Sequence, residues 1–421
     1  MNPYSPKDAP VSHPASDRQL SPARVLRARN AVAAVFALNG LAVASWMARI
    51  PEVRDLLEIT PSELGRLLLA LAVGSIVALP TSGLVVNRIG AARTVAGGSL
   101  LVGAGLTLAG VGSDALLNVP VTAAGLVLIG YGSGSWDVAM NVEGAAVERL
   151  LGRTVMPRFH AAFSLGTVAG AGLGAGAAAA AVPVAVHLGV IGAGVATGAV
   201  IATRSFLPRT VEVDDDGVAA PNVSVWTAWR EPRTLLIGLM VMCFALIEGI
   251  ANDWLALGLV DGYDTSNAMG AVGFAVFVAA MTIGRTAGTQ LIDRYGRLPV
   301  LRVSGVLAAG GVLLVVFGGS LPLAAVGIVI WGFGAALGFP LGMSAASDDP
   351  RRAAVRVSVV ASIGYTAFLA GPPILGYIGD HEGVLRALLA VAVAATIGTL
   401  AAPAAREQKP SSERVESGVR D

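Results

Sequence analysis

The feature that most constrains this chain is a succession of apolar runs about 20 residues long, the length an α-helix needs to cross roughly 30 Å of hydrocarbon. Twelve can be placed, at approximately 29–50, 64–87, 93–112, 119–141, 160–181, 184–203, 234–258, 268–291, 298–318, 321–344, 355–378 and 384–403. Inside lipid every backbone N–H and C=O must be satisfied internally, so such runs specify helices. Composition agrees: 54% of the 421 residues are apolar, 14% are charged, and the mean hydropathy is +0.70. Soluble domains carry about 25% charge. The sequence predicts an all-α membrane protein with twelve transmembrane helices.

Net charge is only +1, but its placement is informative. Arginines gather before segment 1 (Arg18, Arg24, Arg27, Arg29) and after even-numbered segments, at Arg88 and Arg93, Arg149, Arg153 and Arg158, Arg204 and Arg209, Arg294, Arg297 and Arg302, and Arg351, Arg352 and Arg356. The opposite loops are nearly free of basic residues apart from Arg49, Arg54 and Arg66. The positive-inside rule then puts both termini in the cytoplasm and the chain, multi-pass, in the plasma membrane, the inner membrane of a cell that has two. Residues 1–23 and 405–421 read as disordered cytoplasmic tails, and the first has no apolar run of a signal peptide. Cys243 is the single cysteine, so no intrachain disulfide forms.

A polar stretch at 205–231, with the acidic run Asp214, Asp215 and Asp216, reads as a cytoplasmic loop dividing the chain into halves, 24–204 and 232–404. The halves echo each other. TPSELG (60–65) corresponds to TSNAMG (265–270) and NRIGAAR (87–93) to DRYGRLP (293–299), at an offset of roughly 205 residues. Repeated six-span halves holding a solute between them are a common transporter construction.

These motifs carry a family likeness. With GLVVNRIGAAR (83–93) and LIDRYGR (291–297), the chain resembles the major facilitator superfamily, whose loop after the second span reads Gly, three residues, Asp, Arg, any residue, Gly and a basic residue. Within it the chain is similar to the fucose permease group of sugar:proton symporters at TIGRTAGTQLIDRYGR (282–297), GFPLGMSAA (338–346) and DVAMN (137–141). The resemblance implies two pseudo-symmetric six-helix halves, the major facilitator fold. It also implies a cytoplasmic gate in which Asp293, beside Arg294, latches onto the amino end of segment 5 near Met156 to His160. Asn87 and Arg88 form the first copy, weakened because an amide lacks the charge that favours a helix N-terminus. Two positions depart from the group: Met47 stands where it has an Asp before Ile-Pro, and Phe163 where it has Asn.

Ionisable side chains at membrane depth cost about 2.5 to 3.5 kcal/mol on insertion scales and mark pathways or proton relays. In YGSGSWDVAMNVEG (131–144), Asp137 falls near mid-depth, about 20 Å from the cytoplasmic end of a helix continuing to residue 150. Asn141, four residues on, shares its face. Glu248 is mid-depth in FALIEGIANDWLALGL (244–259), where Gly249 and the polar cluster around Asn252 can loosen the helix, whereas Asp253 reads as a solvated outer end. Arg285 needs a counter-ion, Glu248 in preference to a substrate carboxylate. His160 is expected to meet Glu143 or Glu148 as a structural clamp or gate element. Trp46, Trp136, Trp254 and Trp331 fall in segments 1, 4, 7 and 10, which the resemblance makes the cavity helices. Trp136 and Trp331, near mid-depth, join Asp137, Asn141, Glu248, Asn252 and Arg285 as candidate substrate and proton ligands. GTVAGAGLGAGAAAAA (166–181) reads as helix-packing surface.

No metal-ligand spacing, phosphate loop or nucleophile–base pair stands in the sequence, so an enzyme, a cofactor or a nucleic-acid partner is not expected. The expectation is a monomeric secondary transporter of a small solute, a sugar or sugar-like compound, working by alternating access and open to proton coupling at Asp137, whose neutral form burial would favour. The alternatives are a proton-driven exporter of amphipathic compounds and, less favoured, a non-transporting receptor.

Overall fold

The computed structural model describes residues 21–152, 155–208, 225–349 and 352–407. The two expected tails apart from their innermost residues, the run Asp214 to Asp216, Arg153 and Arg351 lie outside the described residues, as do the side chains of Asn87 and Trp226. The helices are α1 (Pro22–Met47), α2 (Pro61–Ile89), α3 (Ala91–Ala115), α4 (Val119–Leu151), α5 (Met156–Ala179) and α6 (Val184–Thr203), then α7 (Pro232–Tyr263), α8 (Asn267–Tyr295), α9 (Arg297–Phe317), α10 (Leu321–Ala346), α11 (Ala353–Glu382) and α12 (Val384–Ala405). A short helix, Ile50–Leu57, follows α1.

The repeated motifs turn out to be helix punctuation. At the start of α2, Thr60 Oγ1 accepts from the Glu63 amide (3.3 Å) while the Thr60 amide donates to Glu63 Oε2 (2.9 Å), a capping box. The matching Ser266 Oγ accepts from the Met269 amide (3.3 Å) at the start of α8. Gly90 and Gly296, in the second motif, end α2 and α8 at φ of 86° and 77°, a region that favours glycine.

Packing repeats as the motifs do. In the first half α1 packs on α5 and α6, α3 on α4 and α6, and α2 on α4; in the second, α7 packs on α11 and α12, α9 on α10 and α12, and α8 on α10. A close glycine-to-glycine approach is duplicated too. A Cβ on Gly125 of α4 would meet the Gly105 carbonyl of α3 at 2.7 Å, and one on Gly327 of α10 would meet the Gly311 carbonyl of α9 at 2.7 Å. Only glycine lets the backbones lie so close. The run at 166–181 packs as expected on one side, where Gly166 and Gly170 touch the carbonyls of Ala37 and Leu41 in α1.

Among the described residues eleven helices are long and apolar enough to cross a membrane, and α4, with its glycines, serines, Asp137 and Asn141, is the long helix that is not among them. Two helices depart from regular winding near mid-depth: α7 makes a π turn at Ala251–Leu255, and α10 is interrupted between Ala335 and Gly338. Asp253 lies within that π turn, about 15 Å from the end of α7 at Tyr263. The expectation that it marks a solvated end is thus corrected, because α7 continues beyond the predicted boundary.

The halves meet through α2 on α11 and α5 on α8. Their described polar ties all lie at the face opposite the termini, here the far face. Arg54 Nη1 donates to Asp261 Oδ2 (2.6 Å), Asn267 Nδ2 to Asp55 Oδ2 (2.9 Å) and the Ser62 amide to Asp380 Oδ1 (3.2 Å). Beneath them Gly65 and Pro61 of α2 press on the backbone at Pro372 and Gly376 of α11. At the terminal face the described ion pairs stay within one half: Arg233 and Arg297 converge on Asp348 (2.8 and 2.6 Å), Arg352 and Arg356 on Glu231 (2.8 and 2.6 Å). The described polar ties between the halves thus gather at the far face.

Glu231 fastens the start of α7 to that of α11. Burial opposes its ionisation, but hydrogen bonds from Arg356, Thr234 and Arg352 more than offset this and hold the carboxyl below the ordinary range. A depressed carboxylate stabilises the fold above its unfolded pKa, about 4.3 for Glu, and that contribution is lost as pH falls through the folded value. Glu231→Gln should lower stability at neutral pH by about 1 kcal/mol, with wild type and variant converging in acid. Thermal unfolding in detergent across pH checks this, and equal stability at neutral pH contradicts it.

Candidate functional site

The candidate site is built on one face of α4. Asp137 stands about 27 Å from Val119 and about 21 Å from Leu151 along the helix axis, near mid-depth, and its side chain is exposed. Asn141 Nδ2 donates to the Asp137 carbonyl (2.8 Å) and reaches Asp137 Oδ1 at 3.4 Å. One turn the other way, Ser133 Oγ donates to Oδ1 of the buried Asn39 on α1 (2.8 Å). Four-residue spacing thus lines up Ser133, Asp137 and Asn141 as a polar stripe.

From the second half, Tyr365 of α11 lies within electrostatic reach of Asp137, and its ring is 6.1 Å from that of Phe368. On the other flank Arg285 Nη2 of α8 pairs with Glu248 Oε2 of α7 at 2.8 Å, and both side chains are partly accessible. The preference for Glu248 as the partner of Arg285 is met. Arg285 Nε also donates to the Ala336 carbonyl (3.2 Å), a group left without its helical donor where α10 breaks. His160 of α5 is exposed, its ring edge against Phe36 at 5.2 Å and its imidazole within electrostatic reach of Arg285 across the halves.

Several expected partners are elsewhere. Glu143 does not meet His160. Six residues from Asp137, it points to another side of α4, fully buried, and its Oε1 accepts from the Leu207 amide (2.6 Å), fastening the chain after α6. Glu148 does not meet His160 either: its Oε2 accepts from the amides of Val155 and Met156 (2.6 and 2.7 Å), capping α5. Trp136 is turned by about 100° from Asp137 and buried against Gly98 of α3. Trp331 is buried too, its Nε1 donating to the Ile247 carbonyl (3.2 Å) and its ring edge-on to Phe277 (5.4 Å). Neither indole is accessible as a ligand, and Trp46 and Trp254 are also buried. Asn252 is half-buried in the α7 π turn.

At the terminal face Asp293 is exposed and makes no hydrogen bond or ion pair among the described residues, while Arg294 stacks over Tyr295 (5.4 Å) and Arg88 is exposed. The amides to which Asp293 was expected to latch are held by Glu148 in this conformation. Sequence reasoning missed Asn39, Ser133, Tyr365 and Phe368. Ser133 was within reach of the four-residue spacing that found Asn141; the α11 aromatics carry no such signal.

Comparison with known proteins follows this architecture. The family model for the Major Facilitator Superfamily matches residues 32–367. An uncharacterized transporter of Sinorhizobium fredii, y4wD, is 33% identical over 393 residues, 91% of this chain and 100% of that protein. Among solved structures, a mutant of the nucleoside transporter NupG superposes with a TM-score of 0.75 at 12% identity, over 90% of this chain and 99% of that one. The transporter FucP in an outward conformation gives 0.59 at 15% identity, over 91% and 100%. At such identities the structures speak for fold alone, and the sequence matches carry the family. The chain belongs to the major facilitator superfamily, and is a multi-pass membrane transporter, not an enzyme.

Proposed function

We propose that the chain moves a neutral, polyhydroxylated solute across the plasma membrane, with the polar stripe of α4 as its binding surface and Asp137 as the group that takes up the coupled proton. The terminal face is the cytoplasmic one, as the arginine distribution requires. On this reading the far-face closure makes the conformation inward-open, with 24–204 and 232–404 as the units that rock about the site, joined by the cytoplasmic loop at 205–231. Asp293 engages the start of α5 when the terminal face closes, displacing or joining Glu148 there.

The observation that carries this reading is the Asp137–Asn141 pair at mid-depth, with Ser133 on the same face and Tyr365, its ring beside that of Phe368, within electrostatic reach of Asp137. A carboxylate and an amide on one face accept from and donate to vicinal hydroxyls. An apolar aromatic surface opposite suits the C–H face of a ring. Arg285, the cation flanking this stripe, is already balanced by Glu248, so an anionic solute finds little net attraction there. These features favour the sugar-like class that the likeness to the fucose permeases suggests, with Tyr365 and Phe368 in the role first given to Trp136 and Trp331.

Uptake of a panel of labelled sugars, polyols and organic acids into proteoliposomes, with and without an acid-outside pH gradient, tests the proposal. A neutral polyhydroxylated compound should accumulate with the gradient. Asp137→Asn should cut gradient-driven uptake by about tenfold or more, the loss expected for a charged hydrogen bond of about 1.5 to 3 kcal/mol. Unchanged flux and pH dependence in that variant would sink the assignment, and efflux of amphipathic dyes without sugar uptake would favour an exporter. The neutral pair makes a separate prediction. Glu248→Gln alone, which strands the Arg285 charge, should lower stability more than Glu248→Gln combined with Arg285→Gln, as read by thermal unfolding in detergent; additive losses would show the two residues to be energetically independent.

A further inference from the structure

Behind the far-face closure stands a carboxylate that the transport reading leaves unused. Asp253, in the π turn of α7, lines a narrow cavity with Gly249, Trp254, Phe368, Gly371 and Pro372, open to a water's centre over about 10 Å³, room for about one water. The opposite wall is the part of α11 that contains Pro372 and Pro373. Neither proline has an N–H, so the carbonyls of Phe368 and Leu369 lose their helical donors. That same stretch of α11 presses on Gly65 of α2 to close the far face.

We propose that Asp253 is a proton-binding site whose occupancy controls closure of the far face. The protonated acid carries an O–H donor, and α11 offers at this point carbonyls that need one. In that form α7 and α11 are held together and α11 seats against α2. The ionised form can only accept, so it repels the same carbonyls and requires water, which enters as the far face opens. Geometry supplies no alternative partner. Apart from Asp253 itself the cavity walls hold no charged side chain, and their single side-chain donor, Trp254 Nε1, is neutral.

Charged and titratable groups on the surrounding elements are engaged elsewhere. On α7 and α8, Glu248 and Arg285 pair with each other. At the far ends, Arg54 pairs with Asp261 and Asp55, Arg49 with Glu52 and Arg386 with Glu382, while Asp380 accepts from the Ser62 amide. On α11, His381 Nδ1 contacts the Tyr377 carbonyl and Tyr365 lies toward Asp137. The inference needs no transported solute and does not depend on the role given to Asp137.

The test is a spin-label distance across the far face of the full-length protein in lipid nanodiscs, with Cys243 replaced by alanine and labels at Leu116→Cys and Phe317→Cys, both exposed. As pH rises the distribution should shift toward a longer distance. Asp253→Asn, whose amide donates at every pH, should stay at the short distance and lose the response. Asp253→Glu should keep a pH response with a displaced midpoint, and Asp137→Asn should respond like the parent. A parent protein whose far-face distance is independent of pH overturns the proposal without recourse to any variant. So does an Asp253→Asn protein that still opens with rising pH, or a response lost only in Asp137→Asn.

Discussion

Two helices in lipid gain nothing from burying apolar side chains against each other, since the acyl chains are as apolar as leucine; what they gain comes from close contact. In this molecule that contact is made where side chains vanish, at Gly105 against Gly125 and again at Gly311 against Gly327. Each approach locks a pair of neighbouring helices, α3 with α4 and α9 with α10, into a six-helix half with the same internal contacts as the other. Because the halves are tightly packed within and joined by fewer contacts between, relative motion is concentrated at the α2–α11 and α5–α8 seams. The site and the gates are consequences of that division.

The cavity follows from where polarity is placed within these rigid bodies. On α4 the face that touches α3 is apolar, with Gly125, Gly132 and Trp136, and a different face carries Ser133, Asp137 and Asn141. Asp137 is hydrogen-bonded within that stripe to Asn141, and Ser133 to Asn39, which offsets part of the insertion penalty that an isolated polar group would carry. In the second half the charges are neutralised locally, Arg285 by Glu248 and by a carbonyl freed where α10 breaks. At the far face the closure is partly electrostatic, through Arg54, Asp55, Asp261, Asn267 and Asp380, and partly steric, through glycine and proline backbones. A closure of this kind is reversible, because exposed ion pairs contribute only about 0 to 1 kcal/mol each.

Much of this was legible from the sequence alone, since hydropathy and helical period are local properties. The twelve segments, the Asp137–Asn141 face and the Arg285–Glu248 pair follow from segment length, four-residue spacing and the need of a mid-membrane cation for a partner. What could not be read depends on phase or on backbone groups that composition does not reveal. Glu143 is matched to the Leu207 amide, a donor with no side-chain signature, so it was paired by depth with His160. Trp136 lies at the right depth but on the wrong side of its helix. Asp253 was misplaced because α7 runs five residues past the predicted end and inserts a π turn on the way. Tyr365 and Phe368 look like any aromatic residues in an apolar run until α11 is set against α4.

The central claim is that a single aqueous cavity around the α4 stripe opens to one side of the membrane at a time. The most direct measurement is the reactivity of Asn141→Cys, in a chain whose buried Cys243 is replaced by alanine, toward a membrane-impermeant maleimide applied separately to inside-out and right-side-out vesicles. The account predicts labelling from both sides, faster from the face that carries the termini, and slowed from that face alone when the far face is opened by removing the Arg54–Asp261 pair. A cysteine at this position that reacts from neither side, or whose reactivity from the two sides rises and falls together, would contradict it.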